Sequence, residues 1–154
     1  MSIDIRPLED VRQAWALRRD VLRPGMPLSS IDFAEDALPG ATHLGAFSPA
    51  GELIGVASLY RQSLGEVPGL EPGLRPTADW RLRGMAVDPA WQGKGVGSQL
   101  LAACQRFLTT QGARGLWCNG RTTASPFYLR HGFTTLGKEF VLPDSGAHYV
   151  MFKR

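Results

Sequence analysis

Apolar and polar positions change period several times along the chain. Ile3 and Ile5 alternate with polar neighbours ahead of Pro7, the period of a strand. Residues 8–22 then place Leu8, Val11, Ala14, Trp15, Val21 and Leu22 on one side of a predicted helix. The segment RPGMP at 23–27 ends it, because proline cannot continue a helix. Ser30 to Leu38 reads as a second short helix with Ser30 as its cap and Glu35 and Asp36 on its exposed side, stopped by Pro39-Gly40. Residues 41–61 read as a hairpin, ATHLGAF and ELIGVASLY around the turn SPAG.

The period is lost over 62–79, QSLGEVPGLEPGLRPTAD, where prolines and glycines recur without spacing. A loop of this length is a tolerated surface insertion or a functional segment, such as a lid over a substrate. WRLRGMAVDP at 80–89 reads as a strand stopped by Asp88-Pro89, and a glycine-rich turn follows. Val96, Leu100, Leu101, Cys104, Phe107 and Leu108 then recur every three or four residues, the stripe of an amphipathic helix that Gly112 ends. Residues 113–119 form the next predicted strand. Ser125 as N-cap and Pro126 in the first turn open a short helix closed by Gly132. FTTLGKEFV and HYVMFKR form a last pair of strands around LPDSG. The predicted order is β-α-α-β-β-β-α-β-α-β-β. Its central β-α-β unit requires one parallel strand pair, and the other strands are antiparallel.

The length of 154 residues suits one domain, 1–154. At 44% hydrophobic and 20% charged, the composition is that of a globular protein. No apolar run approaches the ~20 residues of a membrane helix, and MSIDIRPLED carries charge where a secretory leader is apolar, so a cytoplasmic protein without a membrane partner is expected. Cys104 and Cys118 read as reduced thiols and cannot build a metal site alone, so no metal is expected. Net charge is +3 and the pI is near 9.2, which suits an anionic small ligand as well as a nucleic acid. With no recognition helix and no aromatic stacking platform in the pattern, a nucleic-acid partner is not expected.

The strongest chemical signal is MAVDPAWQGKGVGS at 85–98. A strand ends, Gly93, Gly95 and Gly97 follow at alternate positions, and a helix begins. Glycines let successive backbone N–H groups turn toward one point, and a helix N-terminus adds partial positive charge. Together they form a cradle for a pyrophosphate, with Lys94 as a nearby cation. The spacing is not that of a Walker A loop. From the glycines alone, a connection without a ligand is the other reading.

Gln92-Gly93-Lys94-Gly95-Val96-Gly97 resembles the Q/R-x-x-G-x-G/A signature of the GNAT superfamily of acyl-CoA N-acyltransferases. MAVDP is similar to that family's fourth strand, and ASPFYLRHGF at 124–133 to its second hallmark, a short helix bearing Phe-Tyr and ending in Gly-Phe. GKEFVLPDSGAHYVM faintly resembles the end of ElaA-type members. The resemblance spans nearly the whole chain. It implies a GNAT-type α/β (α+β) fold: a mixed, mostly antiparallel twisted sheet with a splayed central parallel pair and helices on both faces. It also implies acetyl-CoA as co-substrate, an amine acceptor, and pairing into a homodimer.

The resemblance assigns roles to individual residues. The backbones of Met85, Ala86 and Val87 would pair with the pantetheine arm, and an N–H of Met85 or Val87 would polarise the thioester carbonyl. Gln92, Gly93, Lys94, Gly95, Val96, Gly97 and Ser98 would hold the pyrophosphate, the N–H groups from Gly93 to Ser98 binding it directly. Asn119 would bond to the pantetheine, or be a turn residue before Gly120. Tyr128 would face the leaving sulfur; a phenol near pKa 10 is protonated at neutral pH and can donate to a thiolate. On packing alone, Tyr128 is a buried ring beside Phe127.

The attacking amine must be neutral, and an alkyl amine near pKa 10.4 is about one part in 10³ neutral at pH 7. Several GNAT enzymes use a strand glutamate to take its proton. Here the inward positions of that strand are Arg81 and Arg83, with carboxylates at Asp79 and Asp88 on its ends. Glu139 or His148 on the last hairpin, His43 on the second strand, or a base acting through water are the substitutes. Arg81 and Arg83 would bind an acidic group on the acceptor, or are solvated residues paired with Glu66, Glu71 or Asp79. His131 fits a helix C-terminus. The function expected is acetyl transfer to a primary amine by direct attack in a ternary complex. The alternative is a non-catalytic module that senses CoA or binds a partner.

Overall fold

The computed structural model describes residues 2–143 and 145–154. Asp144, in the expected LPDSG turn, and Met1, in the expected unled N-terminus, lie outside them. Seven strands are hydrogen-bonded in the order β1-β2-β3-β4-β5-β7-β6. They are β1 (Asp4–Pro7), β2 (Thr42–Phe47), β3 (Leu53–Tyr60), β4 (Trp80–Val87), β5 (Leu116–Arg121), β6 (Thr134–Leu142) and β7 (Gly146–Lys153). Helices α1 (Trp15–Leu17), α2 (Val96–Thr110) and α3 (Ser125–Arg130) interleave with them. β1/β2, β2/β3, β5/β7 and β6/β7 are antiparallel, whereas β4 and β5 are parallel, with Trp80 opposite Leu116 and Arg81 opposite Trp117. This is the mixed, mostly antiparallel sheet with one parallel pair that the pattern predicts.

The chain divides into two compact units, Met1–Tyr60 with Arg83–Gln111, and Arg61–Leu82 with Gly112–Arg154. In the first, the helical run starts at Val11, later than predicted, because Asp10 caps it: its carboxylate accepts from the Arg12 N–H, and Gln13 reaches back to the Asp10 N–H. The run winds as a 3₁₀ turn, then α1, then a π-turn over Arg18–Leu22. Arg18 follows Ala14 by four residues and shares its buried face.

The predicted helix at 30–38 is instead two 3₁₀ turns, Leu28–Ile31 and Ala34–Ala37. Ser30 does not cap a helix; its hydroxyl donates to the Pro27 carbonyl. Glu35 and Asp36 are not on an exposed side. Each turns inward to an arginine: Glu35 pairs with the half-buried Arg83, and Asp36 with Arg18, whose buried guanidinium requires a carboxylate.

In the second unit, β5 begins at Leu116 and not at residue 113. The Asp79 carboxylate accepts from the Arg114 and Gly115 N–H groups and holds them ahead of the ladder. The chain at 62–79 has no regular structure, as expected, yet it is packed rather than a free insertion. Leu64 and Val67 join Ala78, Trp117 and Val150 in a buried cluster. The Leu64 N–H donates to Ala78, and the Trp117 indole N–H to the Gln62 carbonyl. Ser125 is the first residue of α3 rather than its cap, and Ala124 is the N-cap.

Candidate active site

The β4–α2 connection is built by short-range bonds. The Asp88 carboxylate accepts from the Ala90 N–H and starts the 3₁₀ turn Pro89–Trp91. The Gln92 carboxamide donates to the Val87 carbonyl at 2.9 Å, tying the turn to the last residue of β4. Gly93 and Gly95 take left-handed φ values of +77° and +85°, and a Cβ at either would meet open space. Both conformations are strained for other residues. The first bond of α2 runs from the Gln99 N–H to the Gly95 carbonyl, so the amides of Val96, Gly97 and Ser98 precede the helix's own acceptors. The first turn holds no acidic side chain, and Val96 is buried and anchors it. Lys94 places its ammonium 5.2 Å from the centre of the Trp91 ring. Amides ahead of a helix, a free approach over two glycines and a nearby cation fit a pyrophosphate.

Gly84 in β4 has φ +66°, and a Cβ there would lie 3.0 Å from Phe33 Cε2. Its neighbour Arg83 reaches Phe33, with the guanidinium 3.8 Å from the ring centre. Just past the end of the strand, the Asp88 N–H bonds to Ile54 of β3. Strand alternation therefore directs the main chain of Ala86 toward β3 and that of Met85 and Val87 the other way. The Ala86 methyl packs with Ala14 and Val56.

Arg83 does not have the partner the sequence suggested. Arg83 pairs with Glu35, and not with Glu66, Glu71 or Asp79. Arg81 donates to the Gln62 side-chain oxygen at 3.1 Å and lies over the Trp117 ring.

The remaining candidates in the second unit are spread over β5, α3, β6 and β7. Asn119 is inside β5, opposite Val150, and is therefore not a turn residue. Tyr128 is buried in α3, edge-on to Phe127 and Phe133, and its ring lies beneath Gly120. Glu139 is exposed, with a carboxylate oxygen 3.4 Å from the Thr122 hydroxyl. His148 is buried, 4% exposed, opposite Phe140. Its Nδ1 lies 2.7 Å from the Gly146 carbonyl oxygen. A carbonyl only accepts, so the proton of the neutral ring is on Nδ1 and the lone pair is on Nε2. His131 follows α3, against Phe127, and its carbonyl accepts from Lys153.

His43 belongs to a different set, in the first unit. Its Nδ1 is 2.7 Å from the Ser58 hydroxyl, which also accepts from Arg18, and Tyr60 donates to Asp36 at 2.6 Å. Burial holds the His43 pKa below the usual imidazole range, against the pull of Asp36. The sequence pattern did not reveal this network. The available signal was an arginine on the apolar stripe of a helix. Both cysteines are free and buried, and burial pushes each thiol up to about 12, so neither is a nucleophile at neutral pH.

Residues 30–146 match the family described as "Acetyltransferase (GNAT) domain". The chain belongs to that family and is an N-acetyltransferase of it. It is similar to an uncharacterized N-acetyltransferase, YitI, of Bacillus subtilis (strain 168), with 33% identity over 143 residues, covering 93% of this chain and 91% of YitI. Its fold is similar to that of Escherichia coli ElaA, at TM-score 0.76 and 19% identity, covering 99% of this chain and 100% of that one. It is also similar to an aminoglycoside 6'-N-acetyltransferase complexed with coenzyme A, at TM-score 0.72 and 14% identity, covering 97% and 96%. Among the described residues, no helix is long and apolar enough to cross a membrane.

Proposed function

We propose that the chain moves an acetyl group from acetyl-CoA to a primary amine by direct attack within a ternary complex. The observation that carries this reading is the β4–α2 turn, where two left-handed glycines open onto the amides of Val96, Gly97 and Ser98. When bound, acetyl-CoA would supply an activated acyl carbon and a thiolate leaving group. The diphosphate is held by the main chain at 93–98, braced by Gln92. Met85 and Val87, whose main chains turn away from β3, offer an N–H to the thioester carbonyl oxygen. On the family pattern, Tyr128 donates its O–H to the departing sulfur, and Asn119 bonds to the pantetheine.

Of the three candidate bases, His148 has the chemistry best suited to the task. It is buried, and the Gly146 carbonyl fixes the tautomer of the neutral ring, which puts the basic lone pair on Nε2. Glu139 is exposed to water, and His43 is bound into the Arg18–Asp36 network. Two buried thiols with raised pKa values support direct attack over an acyl-cysteine route.

The absence of a carboxylate between Trp80 and Val87 favours a second reading, a module that binds acetyl-CoA without transfer. The two separate in one assay. Purified chain is mixed with acetyl-CoA and a panel of amines, and released thiol is measured. The transfer reading expects amine-dependent release of CoASH. Binding of acetyl-CoA with no release for any amine would leave the second.

A further inference from the structure

A groove of about 440 Å³ opens in the second unit between the 62–68 segment and strands β5, β7 and β6. That volume is within the range of small-molecule sites. Trp117 and Val150 line it and are both buried; Phe140 and Leu142 of β6 and Leu64 and Pro68 of the loop complete the apolar lining. The indole N–H of Trp117 is already donated to Gln62, and Arg81 covers that ring. Gln62, Ser63 and Asn119 add neutral polar groups to this mainly apolar lining. Among its described lining residues one carries a charge, the exposed carboxylate of Glu66.

Resting on the transfer reading above, we propose that this groove receives the acceptor, and that the acceptor is a primary amine on an apolar alkyl or aryl body without a carboxylate. The apolar lining takes the body out of water. Glu66 favours a cation over an anion at the rim. The arginines that would recognise an acidic acceptor are already engaged: Arg83 has Glu35, and Arg81 has Gln62 and the Trp117 ring.

The test compares three probes on the full chain without acetyl-CoA, by calorimetry and tryptophan fluorescence. They are 2-phenylethylamine, the similarly sized anion 3-phenylpropionate, and ethylamine, which lacks the apolar body. The amine with the aryl body is expected to bind at least tenfold more tightly than either of the others. Ser63→Trp, at an exposed lining position, fills the groove and is expected to weaken it at least tenfold. Glu66→Lys is expected to weaken 2-phenylethylamine about fivefold and to strengthen 3-phenylpropionate. Acetyl-CoA, titrated in parallel, is expected to bind Glu66→Lys as it binds the parent chain, and circular dichroism checks that Ser63→Trp is folded. Equal binding of the anion and the cation, or undiminished amine binding by Ser63→Trp, overturns the proposal. Binding of 2-phenylethylamine, with acetyl-CoA bound and no CoASH release for any amine of the panel, supports the groove and overturns the transfer reading alone.

Discussion

Arg18 places Nη1 2.7 Å from Asp36 Oδ2, and the two side chains are 0% and 7% exposed. The guanidinium also donates to the Ile31 carbonyl and the Ser58 hydroxyl, and it faces the Phe33 ring. One buried cation thus fastens the 28–38 segment to α1 and β3. Removing one partner leaves the other charge buried and uncompensated, at a cost of about 3–5 kcal/mol. Asp36→Ala is expected to lower the unfolding free energy by that amount in urea titrations. Arg18→Met combined with Asp36→Leu is expected to recover much of it. A loss under about 1 kcal/mol for the single variant would contradict the assignment.

The same network makes stability sensitive to acid. His43 has its pKa depressed by burial, so the unfolded chain takes up its proton at higher pH than the folded one. The groups facing it are Asp36, Arg18, Tyr60 and Ser58. Stability is full above about pH 6.5 and falls as the pH drops below that value, at no more than about 1.4 kcal/mol per unit for this one group. Burial alone would raise the Asp36 pKa, but bonds from Arg18 and Tyr60 outweigh it and hold the carboxyl low, which adds a second loss in stronger acid. Urea midpoints between pH 7.5 and 5 check this, and His43→Gln is expected to flatten the slope.

Cys104 and Cys118 are buried with thiols pushed up to about 12. Neither is expected to react with a disulfide reagent in the native protein over minutes at pH 8. Both are expected to react at once in guanidinium. Fast labelling of either in the folded chain would reopen the acyl-cysteine route.

Tyr128→Phe keeps the ring between Phe127 and Phe133 and removes the hydroxyl. It is expected to lower kcat at least tenfold while acetyl-CoA affinity changes less than twofold. Full turnover with a good acceptor would show that Tyr128 only packs.

Much of the fold and the turn between β4 and α2 was legible because the signals are local. Alternation from Trp80 to Val87, the glycines at 93 and 95 and the repeat from Val96 to Leu108 each act within a few residues of themselves. What escaped depends on partners far along the chain. Asp36 reads as a solvated acid until Arg18 is placed beside it. Residues 113–115 read as strand until Asp79 takes the amides of 114 and 115, and Arg83 reads as an acceptor-binding residue or a partner of Glu66, Glu71 or Asp79 until Glu35 meets it. The tautomer of His148 was equally out of reach, since it is decided by a carbonyl and not by spacing.

Binding of the nucleotide thioester at the turn before α2 is tested most directly by titration calorimetry of acetyl-CoA into the parent chain, Gly95→Ala and Gly95→Glu. Both variants share the strain of a left-handed residue, about 1–2 kcal/mol. Only glutamate adds a long anionic side chain to the space over the amides. The parent chain is expected to bind acetyl-CoA, Gly95→Ala to bind it more weakly, and folded Gly95→Glu to give no heat of binding. Unchanged affinity in Gly95→Glu would contradict the account.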